Sequence, residues 1–258
     1  MKNNVIRKAI ETFKEQGIKS FSMKASAYIV NYIAKRLKYY ALLPYALAKI
    51  KSLNRENTLN ESLNFAFSEA AGLIKPYQVR SEISEALKSM YTIRPKAILE
   101  IGTARGGTLF LLCRIASEDA IIISIDLPGG EFGGGYSKYR KFLYSSFAQL
   151  RQRMYLLMMD SHKGETLEQV KAILGGKKLD LLFIDGDHTY SGVKRDFEMY
   201  SSLVRQGGIV AFHDIAPGPG EFVGSVPQFW RENKDYYKSE EIVESWNGEG
   251  SGIGLLYF

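Results

Sequence analysis

Cysteine is almost absent: Cys113 is the only one in 258 residues. No disulfide framework can form, a thiolate metal cage is excluded, and a reducing, cytoplasmic setting is expected. Cys113 itself sits in the run Leu-Phe-Leu-Leu-Cys-Arg of an expected helix, which assigns it to packing rather than catalysis. Histidine is nearly as scarce, so imidazole chemistry must fall on His162, His188 or His213. There is no internal repeat, no low-complexity tract and no secretory signal, since Met1 to Gly17 lacks a continuous apolar core and reads as a charged amphipathic helix. Long apolar runs are missing too. Residues 27–50 are rich in Tyr, Ile, Leu and Ala, but Lys35, Arg36 and Lys38 interrupt them, which argues against a membrane-spanning helix.

The net charge of +6 is unevenly spread. Residues 1–60 hold twelve Lys/Arg against Glu11, Glu15 and Glu56, giving +9, and the remainder carries −3. A basic helical appendage over 1–60 on a slightly acidic body over 61–258 suggests attraction to an anionic surface, such as a membrane contacted peripherally. Ile29, Ile33, Leu37 and Tyr40 repeat at helical spacing and would pack on the body or on a second subunit, a homo-oligomer. Nucleic acid is an unlikely partner because the basic residues sit in the appendage rather than around the expected cleft.

From residue 97 strand and helix alternate. The expected strands are 97–101, 120–125, 154–159, 179–184 and 209–212, and the expected helices 108–116, 138–152, 165–174 and 191–203. Such alternation specifies an α/β fold, a doubly wound and mostly parallel sheet. After a helix at 226–233 come strands at 239–243 and 253–258. Only the turn-rich stretch 246–252 separates them, so they form an antiparallel hairpin.

Two strand ends carry the chemistry. The apolar run from Leu179 breaks into Asp185, Asp187 and His188, which cannot continue a buried strand without a large desolvation penalty. The run Gly-Gly-Ile-Val-Ala-Phe ends likewise in His213 and Asp214. Open α/β sheets bind ligands above such strand tips. Carboxylates and imidazoles together indicate a divalent metal, a general base, or both. Glu100-Ile-Gly-Thr-Ala-Arg-Gly-Gly-Thr108 follows the first strand and opens a helix; its glycines allow a tight turn and close approach to a ligand. Asp126 ends the second strand at the right remove to accept hydrogen bonds from a ribose diol.

A seven-stranded sheet with one antiparallel strand resembles the class I S-adenosylmethionine-dependent methyltransferases. The glycine spacing, Gly102 and Gly106-Gly107, differs from the three-glycine dinucleotide fingerprint, and Glu100 precedes the loop as it commonly does in that family. The resemblance implies a cofactor site of Glu100, Gly102, Thr103, Gly106, Asp126, Asp160, Ser161 and Asp185, with Asp160 and Ser161 near the adenine. Over residues 78–258, and most specifically from Phe183 to Asp214, the chain is similar to metal-dependent O-methyltransferases of catechol type and, more closely, those acting on sugars of macrolide and aminocoumarin antibiotics. That likeness implies a divalent metal, Mg²⁺ by preference, on Asp185 and the pair His213-Asp214. His213 stands where relatives often have a second acid. Asp187 or His188 would be the proton acceptor, and His188 is chosen because imidazole titrates near neutrality.

Competing roles stay open. Asp187 could cap the helix starting near Tyr190. His213 could orient a ligand rather than be one. His162 reads as a polar loop residue, and Tyr190, Lys194, Arg195 and Asp196 read as a solvated helix face. The glycine-dense loop 128–136, with Phe132 and Tyr136, is either a lid or a connector, and the loop 215–224 would border a substrate entrance. The expected function is S-adenosylmethionine-dependent, metal-assisted O-methylation of a hydroxyl on a sugar or glycosylated small molecule. The alternative is a non-catalytic cofactor-binding adapter that uses the appendage for assembly.

Overall fold

The computed structural model describes residues 36–53, 58–70, 72–128, 138–149 and 151–258, with isolated positions between 26 and 34. The amphipathic helix expected over Met1 to Gly17 and the glycine-dense loop with Phe132 and Tyr136 lie outside the described residues. Two compact units divide between Lys49 and Ile50. Residues 36–52 form helix α1, on which Leu37, Tyr40 and Tyr45 are exposed while Tyr39 and Ala46 are buried. Among the described residues no helix is long and apolar enough to cross a membrane.

In the second unit, α2 (Leu59–Asn64) opens on a capping box. Thr58 accepts from the Glu61 N–H, and the Glu61 carboxylate accepts from the Thr58 N–H at 2.6 Å, so two orphan donors are satisfied at once. A π-helical turn, Phe65–Glu69, continues it. Helix α3 (Arg80–Thr92) leads to the sheet. Strands β1 (Ala97–Ile101), β2 (Ile121–Ile125), β3 (Arg153–Leu157), β4 (Leu179–Ile184), β5 (Val204–His213), β6 (Lys238–Ile242) and β7 (Ile253–Tyr257) then join in the order β3-β2-β1-β4-β5-β7-β6. All neighbours are parallel except β7, which runs antiparallel to both β5 and β6. The closing hairpin and the single reversed strand therefore match the sequence reading.

Helices α4 (Gly107–Ile115), α5 (Lys138–Ser145), α6 (Gly164–Leu174), α7 (Tyr190–Tyr200), α8 (Gly220–Val223) and α9 (Val226–Asn233) complete the fold. Helix α5 is shorter than the expected 138–152; a turn at 146–147 ends it, and Gln152 Nε2 beyond it donates to the carbonyls of Cys113 and Ser117. β5 starts five residues earlier than its apolar run because Val204 already pairs with Leu179. Strands β1, β2 and β4 are almost wholly apolar because helices cover both faces of a parallel sheet. On one side Phe197, Phe212, Phe229 and Trp230 interlock at tilted and edge-to-face angles, with Trp230 Nε1 donating to Glu241 at 2.6 Å. Cys113 is fully buried, and burial pushes its thiol up to about 12, consistent with packing alone.

Candidate active site

Strand order reverses between β1 and β4, and the crevice at such a switch point is where doubly wound sheets hold ligands. The two tips are in direct contact. Gly102, at φ +92°, lies so close to β4 that an added Cβ would stand 1.9 Å from the Asp185 carbonyl oxygen. Asp185 N–H donates to the Ile101 carbonyl at 2.8 Å. Glycine is thus required at 102 both for its backbone conformation and for the contact.

Asp126, just beyond β2, folds onto the glycine loop: its Oδ2 accepts from the N–H groups of Thr103 at 2.9 Å and Ala104 at 2.8 Å. Glu100 is fully buried beneath that loop. Burial, helped by the charges of Asp185 and Asp126, holds its carboxyl well above the usual range. Ser124 Oγ bonds Glu100 Oε2 at 2.9 Å and also bonds Thr103 Oγ1, so Glu100 and Thr103 shape the loop from below. Gly106, at φ +82°, forms the N-cap of α4.

At the tips of β4 and β5 two carboxylates and two imidazoles converge. One ligand atom each from Asp185, His188 and Asp214 lies within 4.8 Å of the others. His188 Nε2 is 3.5 Å from Asp185 Oδ1, and its Nδ1 is 3.4 Å from Asp214 Oδ2. His213 Nδ1 faces both acids, at 3.2 Å from Asp185 and 3.3 Å from Asp214. Asp214 adopts φ +62°, a left-handed turn that brings its carboxylate back beside His213.

These groups set one another's charge. Burial alone would raise Asp185, but the charge of His213 and the hydrogen bonds of both histidines hold it far below the usual carboxylate range. Burial would likewise lower His188, yet the Asp185 hydrogen bond and charge, with Asp214 behind them, push it up to about 9. His213 is raised well above its ordinary value because Asp185 and Asp214 outweigh its burial. Both imidazole rings thus lie against the two carboxylates, whose charge favours the protonated form of each.

The remaining expected site residues lie apart from this cluster. Asp187 turns to the start of α7, where its Oδ1 accepts from the Thr189 N–H at 2.9 Å. Thr189 itself is the N-cap, accepting from the Gly192 N–H at 3.0 Å. Asp160, at the tip of β3, accepts from the His162 N–H at 2.9 Å, and the Ser161 carbonyl accepts from Tyr200 Oη at 2.7 Å. The expectation of a solvated face at Asp196 is corrected: Asp196 is fully buried, 3.3 Å from His162 Nε2. The signal was present, since Val193, Asp196, Phe197 and Tyr200 share one face at helical spacing.

Gln78 was missed. Its side chain is buried between the tips, donating from Nε2 to Asp185 Oδ2 at 2.7 Å and accepting from Thr108 Oγ1 at 2.8 Å. Between residues 75–78 and the glycine loop the cavity measures only about 10 Å³. Replacement Gln78→Ala is expected to cost about 1.5–3 kcal/mol of stability, the value of a hydrogen bond to a charged group. Urea unfolding measures it, and a midpoint unchanged from wild type contradicts the bridging role.

A family model described as a methyltransferase domain matches residues 99–215. The chain is 28% identical over 154 residues to an uncharacterized protein, y4gI, of Sinorhizobium fredii, a match covering 55% of this chain and only 15% of that protein. Among solved structures it is similar to an O-methyltransferase from Bacillus cereus in complex with SAH, at 18% identity and a TM-score of 0.53, covering 78% of this chain and 90% of that one. It is also similar to CalS11, a calicheamicin methyltransferase, at 14% identity and a TM-score of 0.54, covering 83% and 92%. Sheet order, switch-point crevice and matched domain agree. Residues 99–215 thus match the model of a methyltransferase domain, and the sheet has the order of a Rossmann-like methyltransferase fold.

Proposed function

We propose that the chain transfers a methyl group from S-adenosylmethionine to a hydroxyl oxygen of a sugar or glycosylated small molecule, assisted by a divalent cation. The observation that carries this reading is the cluster of Asp185, His188 and Asp214 at strand tips in backbone contact with the glycine loop. Asp126 would take the ribose diol, the glycine loop the methionine end, and Asp160 with Ser161 the adenine edge. The sugar acceptor draws support from the fold neighbour CalS11, described as a TDP-rhamnose 3'-O-methyltransferase.

The donor set fits a cation. Asp185 and Asp214 supply hard oxygens, suited to Mg²⁺, while His213 makes Mn²⁺ an equally good fit. A bound cation would lower the pKa of an acceptor hydroxyl. His188, once its proton is displaced, would be placed to receive the proton that the hydroxyl gives up. Its Nδ1 lies 2.6 Å from the Phe222 carbonyl, a contact that holds the ring against α8, near the end of the loop 215–224. The basic residues within 1–60 are proposed to make peripheral contact with an anionic membrane or to serve self-association.

Transfer of labelled methyl from S-adenosylmethionine to a panel of free and nucleotide-linked sugars tests the activity. Chelation is expected to lower turnover by roughly 10²-fold, with recovery on adding Mg²⁺ or Mn²⁺. Full activity in chelator removes the cation from the mechanism, and cofactor binding without turnover on any hydroxyl acceptor removes catalysis.

A further inference from the structure

We propose that Glu82 and Ser251 are positioning residues that aim His213 at the two carboxylates. The inference rests on reading the Asp185–Asp214 cluster as the reacting centre. Glu82 lies on α3, yet it is buried, and every hydrogen bond given to its carboxylate comes from the far end of the chain. Oε1 accepts from the Glu244 N–H at 2.9 Å; Oε2 accepts from the Gly252 N–H at 2.9 Å and from Ser251 Oγ at 2.7 Å. A carboxylate that accepts the Ser251 proton leaves that hydroxyl only lone pairs to offer. Ser251 Oγ stands 3.5 Å from His213 Nε2. The hydrogen on Nε2 therefore points toward serine, and the other ring nitrogen, Nδ1, is presented to Asp185 and Asp214.

The local backbone argues independently for the hydroxyl. Gly248, Gly250 and Gly252 adopt φ of +88°, +88° and +86°, and Ser251 among them adopts +83°. Three of these four left-handed positions hold glycine, the residue that adopts such angles without penalty. Serine in that setting carries a hydroxyl that glycine lacks, and among the described residues this hydroxyl meets Glu82 and His213. The same loop braces the tip of β5: Ala216 N–H donates to the Ser251 carbonyl at 2.8 Å, two residues past Asp214.

For a cation the arrangement selects one tautomer. Nδ1 can bind metal only as a bare lone pair, which requires the remaining ring hydrogen on Nε2, where Ser251 accepts it. Glu82, Ser251 and His213 thus form a chain from the back of α3 to the cluster. No single stretch of sequence contains it.

The test uses the protein and the variants Ser251→Ala, Ser251→Gly and Glu82→Ala. Long-range ¹H–¹⁵N spectra read exchange of the His213 Nε2 hydrogen without any ligand, and Mn²⁺ alone is titrated by electron paramagnetic resonance. All three variants are expected to speed that exchange at least about tenfold and to weaken Mn²⁺ roughly tenfold, while S-adenosylmethionine affinity stays within about twofold. Ser251→Gly suits the left-handed backbone and guards against misfolding. Glu82→Ala removes the acceptor that orients the Ser251 hydroxyl and leaves that hydroxyl free to rotate. Unchanged exchange together with unchanged Mn²⁺ affinity overturns the proposal. A wild-type protein that takes up no Mn²⁺ sinks the cation reading alone, and the exchange rate still decides the role of Glu82 and Ser251.

Discussion

Asp185→Ala is expected to lower methyl transfer by roughly 10²–10³-fold, the loss typical of removing one preorganised electrostatic partner from a reacting centre. Asp185 is the hub of the site: it meets Gln78, His188 and His213, and its carbonyl touches Gly102. Its removal also has a signature that needs no substrate. Burial tends to lower His188, but Asp185 and Asp214 hold it protonated to about 9, against an ordinary 6.5. Because the folded value lies above the unfolded one, this interaction stabilises the cation-free protein fully below pH 6.5 and is lost as pH rises through about 9. In the variant the His188 titration, followed by NMR, should fall back toward 6.5. Urea midpoints at about pH 6 and about pH 10 should then differ less than in wild type. A His188 titration that stays put denies Asp185 the role assigned to it.

The second large effect is expected at Asp126. Asp126→Ala should weaken S-adenosylmethionine binding roughly 100-fold, about 2.8 kcal/mol, because it removes both the ribose acceptor and the two bonds that order the loop at Thr103 and Ala104. Asp126→Asn keeps a carbonyl oxygen for the loop and loses only the charge, so a smaller loss of roughly tenfold is expected. Calorimetry with the cofactor measures both. Equal affinities in wild type and Asp126→Ala would remove Asp126 from the cofactor site. Equal losses in the two variants would assign its whole effect to the charge rather than to the loop.

What the sequence revealed follows from the range of the interactions involved. Period and turn chemistry are local, so the alternation of strands and helices, the closing hairpin and the abrupt polar ends of β4 and β5 could be read directly. The approach of Gly102 to Asp185 was inferred from topology, since parallel strands in such a sheet bring their tips together. Side-chain partners separated by long stretches left no comparable trace. Gln78 meets Asp185 across 107 positions, and Glu82 meets Gly252 across 170. Each is an ordinary polar residue near the start of a helix when seen alone. Asp196 fails differently: its burial was encoded in the spacing of Val193, Phe197 and Tyr200, but its charge favoured a solvent-facing reading. Its carboxylate lies 3.3 Å from His162 Nε2, yet among the described residues neither oxygen makes a hydrogen bond.

The close approach at Gly102 limits how this molecule can vary. With 1.9 Å between an imagined side chain and the Asp185 carbonyl, the glycine turn and the acid-bearing tip behave as one rigid piece. A shift of either would strain that main-chain contact, so under the proposed function the spacing of donor and acceptor is set largely by main chain. New tastes for acceptors would then have to arise at the margins, in the segments around Tyr77 and Phe222, where large exposed side chains can be exchanged while the central spacing stays the same.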